Sequence, residues 1–328
     1  MTRADDTTDW RPSASLESLK SRAMQLSYVR GFFADRQVLE VETPVLGRFG
    51  VTEPNLDNIG AALTRPPDWA AGDGWLQTSP EYHMKRLLAD GAGAIFQVAR
   101  AFRDGEWGGR HNPEFSLLEW YRPGFDDERL MAEVADLVCG WLDLPKPRRM
   151  SYRQSFLRYV GLDPFTATHS ELAKRCEAWM DQSLASQLNR DDCLDLLMSH
   201  EVEVALQAEP PTFICYYPAS QAALARTSVR DGVMVAHRFE LYVQGLELCN
   251  GYWELTDPDE QRQRFAADNR LRASLGKSVM APDQHLLQAL TSGLPSCAGV
   301  ALGLDRLLML KLGHDSIRQV MAFPIDRA

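Results

Sequence analysis

No stretch of this chain of 328 residues approaches the roughly 18 consecutive apolar residues that a membrane-spanning helix needs, so no membrane association is expected. The start, Met1-Thr2-Arg3-Ala4-Asp5-Asp6, is polar and acidic and lacks the basic region and apolar core of a secretory signal. A cytoplasmic protein is the resulting expectation. Cysteine pairs at metal-binding spacing are also missing. The six cysteines (139, 176, 193, 215, 249 and 297) lie far apart with no Cys-x-x-Cys, which argues against a zinc site and a disulfide framework and for buried, reduced thiols. An excess of base is absent too: 45 acidic residues stand against 35 basic ones, a net charge of −10. Proteins that grip nucleic acid through its phosphates carry basic surfaces, so the bulk field disfavours a long RNA footprint. Low complexity and internal repeats are not found. What remains is an ordinary globular composition, long enough to bury a substantial core as one large domain or two small ones.

The most informative segment runs from Arg103-Asp104-Gly105-Glu106 through His111-Asn112-Pro113-Glu114-Phe115 to Glu119-Trp120-Tyr121. It follows the apolar run Ala94-Ile95-Phe96-Gln97-Val98 and is broken by Gly105, Gly108 and Gly109. A strand, a glycine-bearing loop and a returning strand would aim an arginine, an aromatic ring and several carboxylates and amides at one small ligand. The guanidinium suits bidentate recognition of a carboxylate or phosphate, and Phe115 offers a face to a flat ring. The plainer alternative is a surface hairpin with solvated charges.

Elsewhere the patterning places elements around this segment. Residues 1–14 read as a frayed arm, and a helix is predicted from Ser15 to about Asp35, with Leu16, Leu19, Ala23, Leu26 and Phe33 at helical spacing. Val38 to Thr43 alternates apolar and acidic residues like a half-buried strand that Pro44 ends. Residues 47–74 read as loops, followed by a strand at Trp75–Thr78 and a helix from Ser79-Pro80-Glu81 to about Asp90. Ser79 and Glu81 there fit a helix cap and a favourable first-turn charge as readily as a ligand site. From about 127 to 210 the pattern is mainly helical.

Residues 239–248 read as a hairpin turning at Gln244-Gly245, with Val243 facing Leu246 and Tyr242 facing Glu247. Glu240 then shares a sheet face with Glu247, one diagonal step away. Two acids so close repel unless a cation lies between them, and hard oxygen ligands suit Mg²⁺; an exposed acidic face is the alternative. Just beyond, Asn250-Gly251-Tyr252-Trp253-Glu254 carries a glutamate that in a closed pocket would partner an ammonium group. Finally, Gly299-Val300-Ala301-Leu302-Gly303-Leu304-Asp305-Arg306 reads as a strand entering a helix.

In order, these pieces resemble the motifs of class II aminoacyl-tRNA synthetases of the lysyl type. The helix, strand and Pro44 resemble the first motif, the 102–121 segment the second, and 299–308 the third. The resemblance implies a catalytic domain of α/β (α+β) type, an antiparallel β-sheet flanked by helices, over residues 15–328, and a homodimer formed around residues 15–45. It implies that Arg103 bridges the amino-acid carboxylate and the α-phosphate of ATP, that Phe115 stacks on adenine, and that Arg306 holds the γ-phosphate. Asp104, Gly105, Glu106, His111, Asn112, Leu248 and Gly303 are implied to line the ATP site, with Glu240 and Glu247 holding Mg²⁺. Ser79, Pro80, Glu81, Asn112, Glu119, Tyr121, Asn250, Glu254 and Ala301 are implied to meet the amino acid. One departure is Gly105, which stands where the lysyl enzymes carry an adenine-reading glutamate; Glu106 is next in line for that role.

Within this group the chain resembles the elongation factor P lysine ligases, truncated paralogues without the anticodon-reading β-barrel. Ser79 before Pro80-Glu81, the triplet Glu119-Trp120-Tyr121, and Ala301 carry that likeness. It implies ATP-dependent activation of (R)-β-lysine, or lysine, and its transfer to a lysine amine on elongation factor P, with full-length tRNA not a substrate. The competing expectations are a lysine-adenylating enzyme with another acceptor, such as a tRNA minihelix or carrier protein, and a catalytically dead lysine or ATP sensor. The presence of Arg103, Glu240, Glu247 and Arg306 speaks against the sensor.

Overall fold

The computed structural model describes residues 10–64 and 73–328. Strands β1 (Leu39–Glu40), β5 (Ile95–Phe102), β6 (Glu114–Pro123), β7 (Arg148–Ser151), β8 (Thr212–Pro218), β9 (Thr227–Arg230), β10 (Val233–Val243), β11 (Leu246–Trp253) and β12 (Cys297–Gly303) form one sheet. The order is β1-β5-β6-β12-β11-β10-β8-β7, with β9 on β10. The β5/β6, β8/β10, β9/β10 and β10/β11 pairs are antiparallel, and the short β1/β5 and β7/β8 pairs are parallel. The architecture is therefore an antiparallel-dominated sheet flanked by helices, as the sequence led us to expect. A second sheet joins β2 (Leu46–Gly47), β4 (Asp73–Leu76) and β3 (Gly60–Ala62). Its strands β2 and β3 correct the reading of 47–74 as loops: two or three residues each, they are too short to show an alternating pattern.

The chain divides into two compact units. The first takes the described residues up to Tyr121 together with Asp257–Pro295 and Ala301–Ala328; the second takes Arg122–Thr256 with Ser296–Val300. The arm expected over residues 1–14 lies mostly outside the described residues.

In the first unit, helix Leu16–Ala34 starts where Ser15 caps it, its hydroxyl accepting from the Ser18 N–H at 3.0 Å. Its end packs into the core: Phe33 stacks on Phe96 at 4.4 Å and meets Trp120 edge-on at 5.4 Å. The buried face is Ser18, Ser21, Gln25, Val29, Phe32 and Phe33. The apolar stripe that marked the helix in the sequence is thus mostly on the other side, with Leu16 67% exposed. The strand expected over 38–43 reduces to Leu39–Glu40, with Leu39 donating to the Ala94 carbonyl and Val41 to that of Phe96.

In the second unit, helix Asp127–Leu142 buries Leu130, Val134, Leu137 and Val138 completely. Strand β7 and a run of short helices follow, three of them opened by reciprocal caps at Ser151/Gln154, Thr168/Glu171 and Asn189/Asp192. Tyr152, Phe156, Leu172, Leu194, Leu197 and Val202 form their core, against Tyr217 and Tyr242 of the sheet. The β10/β11 hairpin has the predicted register, Val243 with Leu246 and Tyr242 with Glu247, followed by a bulge that brings Asn250 opposite Glu240. Both turn residues are left-handed, Gln244 at φ 52° and Gly245 at φ 69°, the geometry of a type I′ turn.

A side chain at Gly245 would be strained and would also place a Cβ 2.6 Å from the Glu203 carbonyl oxygen. Gly161 has a similar φ of 80° with open space around it. Gly245→Ala should therefore cost roughly 2–4 kcal/mol in urea unfolding, and Gly161→Ala only about 1 kcal/mol. Equal losses would show that the contact with Glu203 is absent.

Candidate active site

In the first unit, the β5/β6 pair holds its register from Ile95 opposite Tyr121 to Phe102 opposite Glu114, and the loop between them presents Arg103 to His111. Arg103 is anchored at three points. Its Nε donates to the Thr78 carbonyl at 3.4 Å, Nη1 pairs with Glu106 Oε1 at 3.4 Å, and Cζ lies 5.0 Å from the Phe115 ring centroid. The guanidinium is thereby oriented by a strand end, a loop carboxylate and an aromatic face, and it stays partly open to solvent.

Gly105 explains itself in the backbone. Its φ is 74°, which disfavours any side chain, so the loop turns there and Glu106 swings back to Arg103. Asp104 closes the same turn, its carboxylate accepting from the Gly105 N–H at 2.8 Å. His111 Nε2 lies 2.7 Å from Arg306 Nη2, which requires a neutral imidazole accepting from the guanidinium. Partial burial of the ring, then the charges of Arg306, Arg103 and Arg110 working against Glu106, hold His111 below its ordinary value.

Asn112 is 3% exposed and tied at both ends, Nδ2 donating to the Glu114 carbonyl at 2.6 Å and Oδ1 accepting from the Ile325 N–H at 3.1 Å. In this structure it braces the loop. Glu119 and Tyr121 are both 2% exposed and joined by a hydrogen bond of 2.7 Å from the Tyr121 hydroxyl. Pro80 takes the N-cap position of helix Glu81–Ala89 without a side-chain bond, and the Ser79 hydroxyl just before it accepts from the Glu81 N–H at 3.4 Å. Gly303 precedes helix Leu304–Leu312, which carries Arg306, and Ala301 sits half-buried on β12.

In the second unit, the register puts Arg238, Glu240 and Tyr242 of β10 on one face with Glu247, Asn250 and Tyr252 of β11. Glu240 is 5% exposed, and its Oε2 accepts from Tyr217 at 2.6 Å and Tyr242 at 2.5 Å. Its Oε1 takes an ion pair from Arg238, whose Nη1 is held by the Gln221 carbonyl at 3.0 Å. The cation that the acidic pair was expected to need is therefore provided in part by the protein. A carboxylate has about four acceptor positions, so three donors leave room for one more bond. Glu247, on the same face, and the remaining acceptor position of Glu240 would therefore suit a magnesium ion. The buried Oδ1 of Asn250 accepts no hydrogen bond and is a position that a ligand donor would satisfy. Glu254, 1% exposed, is held at its backbone by Arg226 and Cys297, and Leu248 is buried in the bulge.

The match to known families follows this geometry. The description "tRNA synthetases class II (D, K and N)" fits the chain over residues 3–327. The chain belongs to this family. Members of the class II D, K and N group are ATP-dependent ligases that activate an amino acid as its adenylate, using ATP and Mg²⁺. No described helix of this class II chain is long and apolar enough to cross a membrane.

Sequence reasoning passed over three groups. Lys85 is 2% exposed and donates to Glu81 Oε1 at 2.7 Å; the only signal was the i,i+4 spacing, which ordinarily means a surface pair. Asp305, 2% exposed, accepts from the Ser116 N–H at 2.7 Å and pairs with Arg22. Arg238 and Tyr242 flank Glu240 at two residues either side on β10, so the alternation of a strand could have found them, whereas Tyr217 comes from β8 and nothing local in the sequence brings it there.

The His111 contact gives a direct test. Arg306→Ala removes a cation 2.7 Å from Nε2, so the His111 pKa read by proton NMR should rise toward 6.5, the ordinary value for histidine. An unchanged titration would mean that burial alone holds it down.

Proposed function

We propose that this chain activates lysine, with (R)-β-lysine preferred, as an acyl-adenylate and transfers it to the ε-amine of a lysine on elongation factor P. Of the group's three amino acids, only lysine carries a cationic side chain. The observation that carries the choice is the burial of Glu119 and Glu254, 2% and 1% exposed. Buried carboxylates favour a cationic substrate and oppose an aspartate, whose own charge they would repel. Asn250 supports the same reading through its buried acceptor oxygen. The preference for a protein acceptor rests on the sequence likeness at Ser79, Glu119-Trp120-Tyr121 and Ala301. The net charge of −10 supports it by disfavouring a large RNA footprint. On this reading the protein acts in the cytoplasm as a single catalytic domain.

In the proposed reaction, a carboxylate oxygen of the amino acid attacks the α-phosphorus of ATP and pyrophosphate leaves. Arg103 neutralises charge at the α-phosphoryl oxygens and Arg306 steadies the departing pyrophosphate. His111, neutral and bonded to Arg306, orients that guanidinium; Phe115 stacks on adenine, and Glu106 replaces the glutamate missing at Gly105. Glu247 and the remaining acceptor position of Glu240 would hold magnesium, which when bound would supply further charge compensation on the phosphates. The acceptor amine then attacks the carbonyl carbon of the mixed anhydride, AMP leaves with its oxygen, and the nitrogen loses a proton to give an amide. Orientation of the two reactants accounts for much of the acceleration, a class of effect worth roughly 7–11 kcal/mol. The exposed Leu16 and Met24 of helix Leu16–Ala34 support a homodimer through this region. Ala301, on β12 just before Gly303, is proposed to shape the pocket where α- and β-amino acids differ.

Intact-mass analysis of elongation factor P after incubation with enzyme, ATP and each lysine isomer tests the proposal. We expect one β-lysyl addition on a lysine, with α-lysine used more slowly and purified lysine tRNA left uncharged. Efficient charging of the tRNA with no modification of the protein would contradict the acceptor assignment.

A further inference from the structure

The first unit contains a second cavity that the proposed reaction does not use. It encloses about 450 Å³ and is walled by Arg48, Phe49, His83, Arg86, Asp283 and His285. Helix Glu81–Ala89 separates it from the amino-acid residues: Glu81 and Lys85 lie on one helical face, His83 and Arg86 on the opposite one. A smaller adjoining cleft, lined by Thr78, Ser79 and Tyr82, shares Phe49 and His83 with it. The cavity therefore backs onto the residues proposed to bind the amino acid.

Its charge is one-sided. Asp283 is the only acid named above, and its Oδ1 is committed to capping helix Gln284–Gly293, accepting from His285 N–H at 2.8 Å and Leu286 N–H at 3.0 Å. With that carboxylate committed to the helix cap, the Arg86 guanidinium lines the cavity beside the Arg48 side chain and two imidazoles. Among the described residues Arg86 makes no ion pair or side-chain hydrogen bond, although it lies within the cavity wall. Cations gathered without enough acid repel one another. Burial, then Arg86 and His285, against the opposing pull of Asp283, hold the His83 imidazole below its ordinary value. Phe49, with the Arg48 guanidinium 5.5 Å from its ring centroid and His285 edge-on at 5.8 Å, adds an apolar wall beside the charges.

We propose that this cavity binds a small phosphate-bearing anion between Arg48, Arg86, His83 and His285, at a site separate from the one that takes ATP. Guanidinium forks match phosphate oxygens bidentately, and both imidazoles can donate once the anion raises their affinity for protons. A ligand there would press on helix Glu81–Ala89 from behind and could alter how Ser79 and Glu81 present themselves to the amino acid.

Inorganic pyrophosphate is the probe, followed through the ring signals of His83 and His285 by NMR. We expect saturable shifts of both signals and a raised His83 pKa, persisting in Arg306→Ala. Binding should fall about tenfold or more in Arg86→Gln and in Arg48→Gln. Each variant is checked by its thermal midpoint; if one fails to fold, the other decides. Shifts that vanish in Arg306→Ala would assign the ion to the ATP site and overturn the proposal. Shifts unchanged in the folded glutamine variant, reproduced equally by malonate at matched ionic strength, or absent altogether would do the same.

Discussion

One buried carboxylate ties together a helix, a strand and a second helix of the first unit. Asp305 opens the helix that carries Arg306, accepts from the Ser116 N–H on β6 at 2.7 Å, and pairs with Arg22 from helix Leu16–Ala34. Beside it, Gln25 donates to the Leu304 carbonyl at 3.0 Å. A charge 2% exposed is costly unless it is paired and hydrogen-bonded, and these partners bring the first and second motifs to the third, which carries Asp305. Their relative positions follow from that one requirement. Arg306 is the next residue along, so the contact that satisfies Asp305 also sets where the Arg306 side chain begins. Ser116 adjoins Phe115, whose ring in turn orients Arg103.

The second unit uses the same device with the opposite emphasis. Glu240 is buried among two tyrosine hydroxyls and Arg238, and Tyr217 packs on Tyr152 with ring centroids 4.7 Å apart. The helical segment after β7 thereby holds the acid on the sheet. Asp195, on helix Arg190–Leu197, is raised to about 6 chiefly by burial, with Arg238 opposing and Asp191 and Glu240 adding to the rise. It accepts from Gln221, whose carbonyl in turn holds Arg238. A chain of hydrogen bonds thus reaches from that helix to the sheet carboxylate.

Much of this was legible in the sequence where local pattern and chemistry coincide. The β5/β6 segment combines glycines, apolar strand residues and a polar loop within a short span, and the Gln244-Gly245 turn fixes its hairpin register by backbone geometry alone. The bulge after Glu247 was not legible, because nothing distinguishes Leu248 from any other apolar strand residue. Helix Leu16–Ala34 was found by a stripe whose exposed end at Leu16 shows that it marks a surface, while serines and Gln25 face inward to satisfy buried polar partners. Lys85 and Asp305 were missed for a related reason: a charged residue in a helix reads as solvated until the partners that bury it are known. Gly105, in contrast, was noticed as a departure, and its left-handed backbone supplies the cause.

The account stands on the identity of the amino acid that is activated. Amino-acid-dependent exchange of labelled pyrophosphate into ATP, run in parallel with (R)-β-lysine, α-lysine, aspartate and asparagine, measures this without reference to any acceptor. Exchange driven by the two lysines, greater for the β isomer and undetectable with aspartate or asparagine, is the predicted result. Exchange supported by aspartate or asparagine, or by no amino acid at all, would contradict the account.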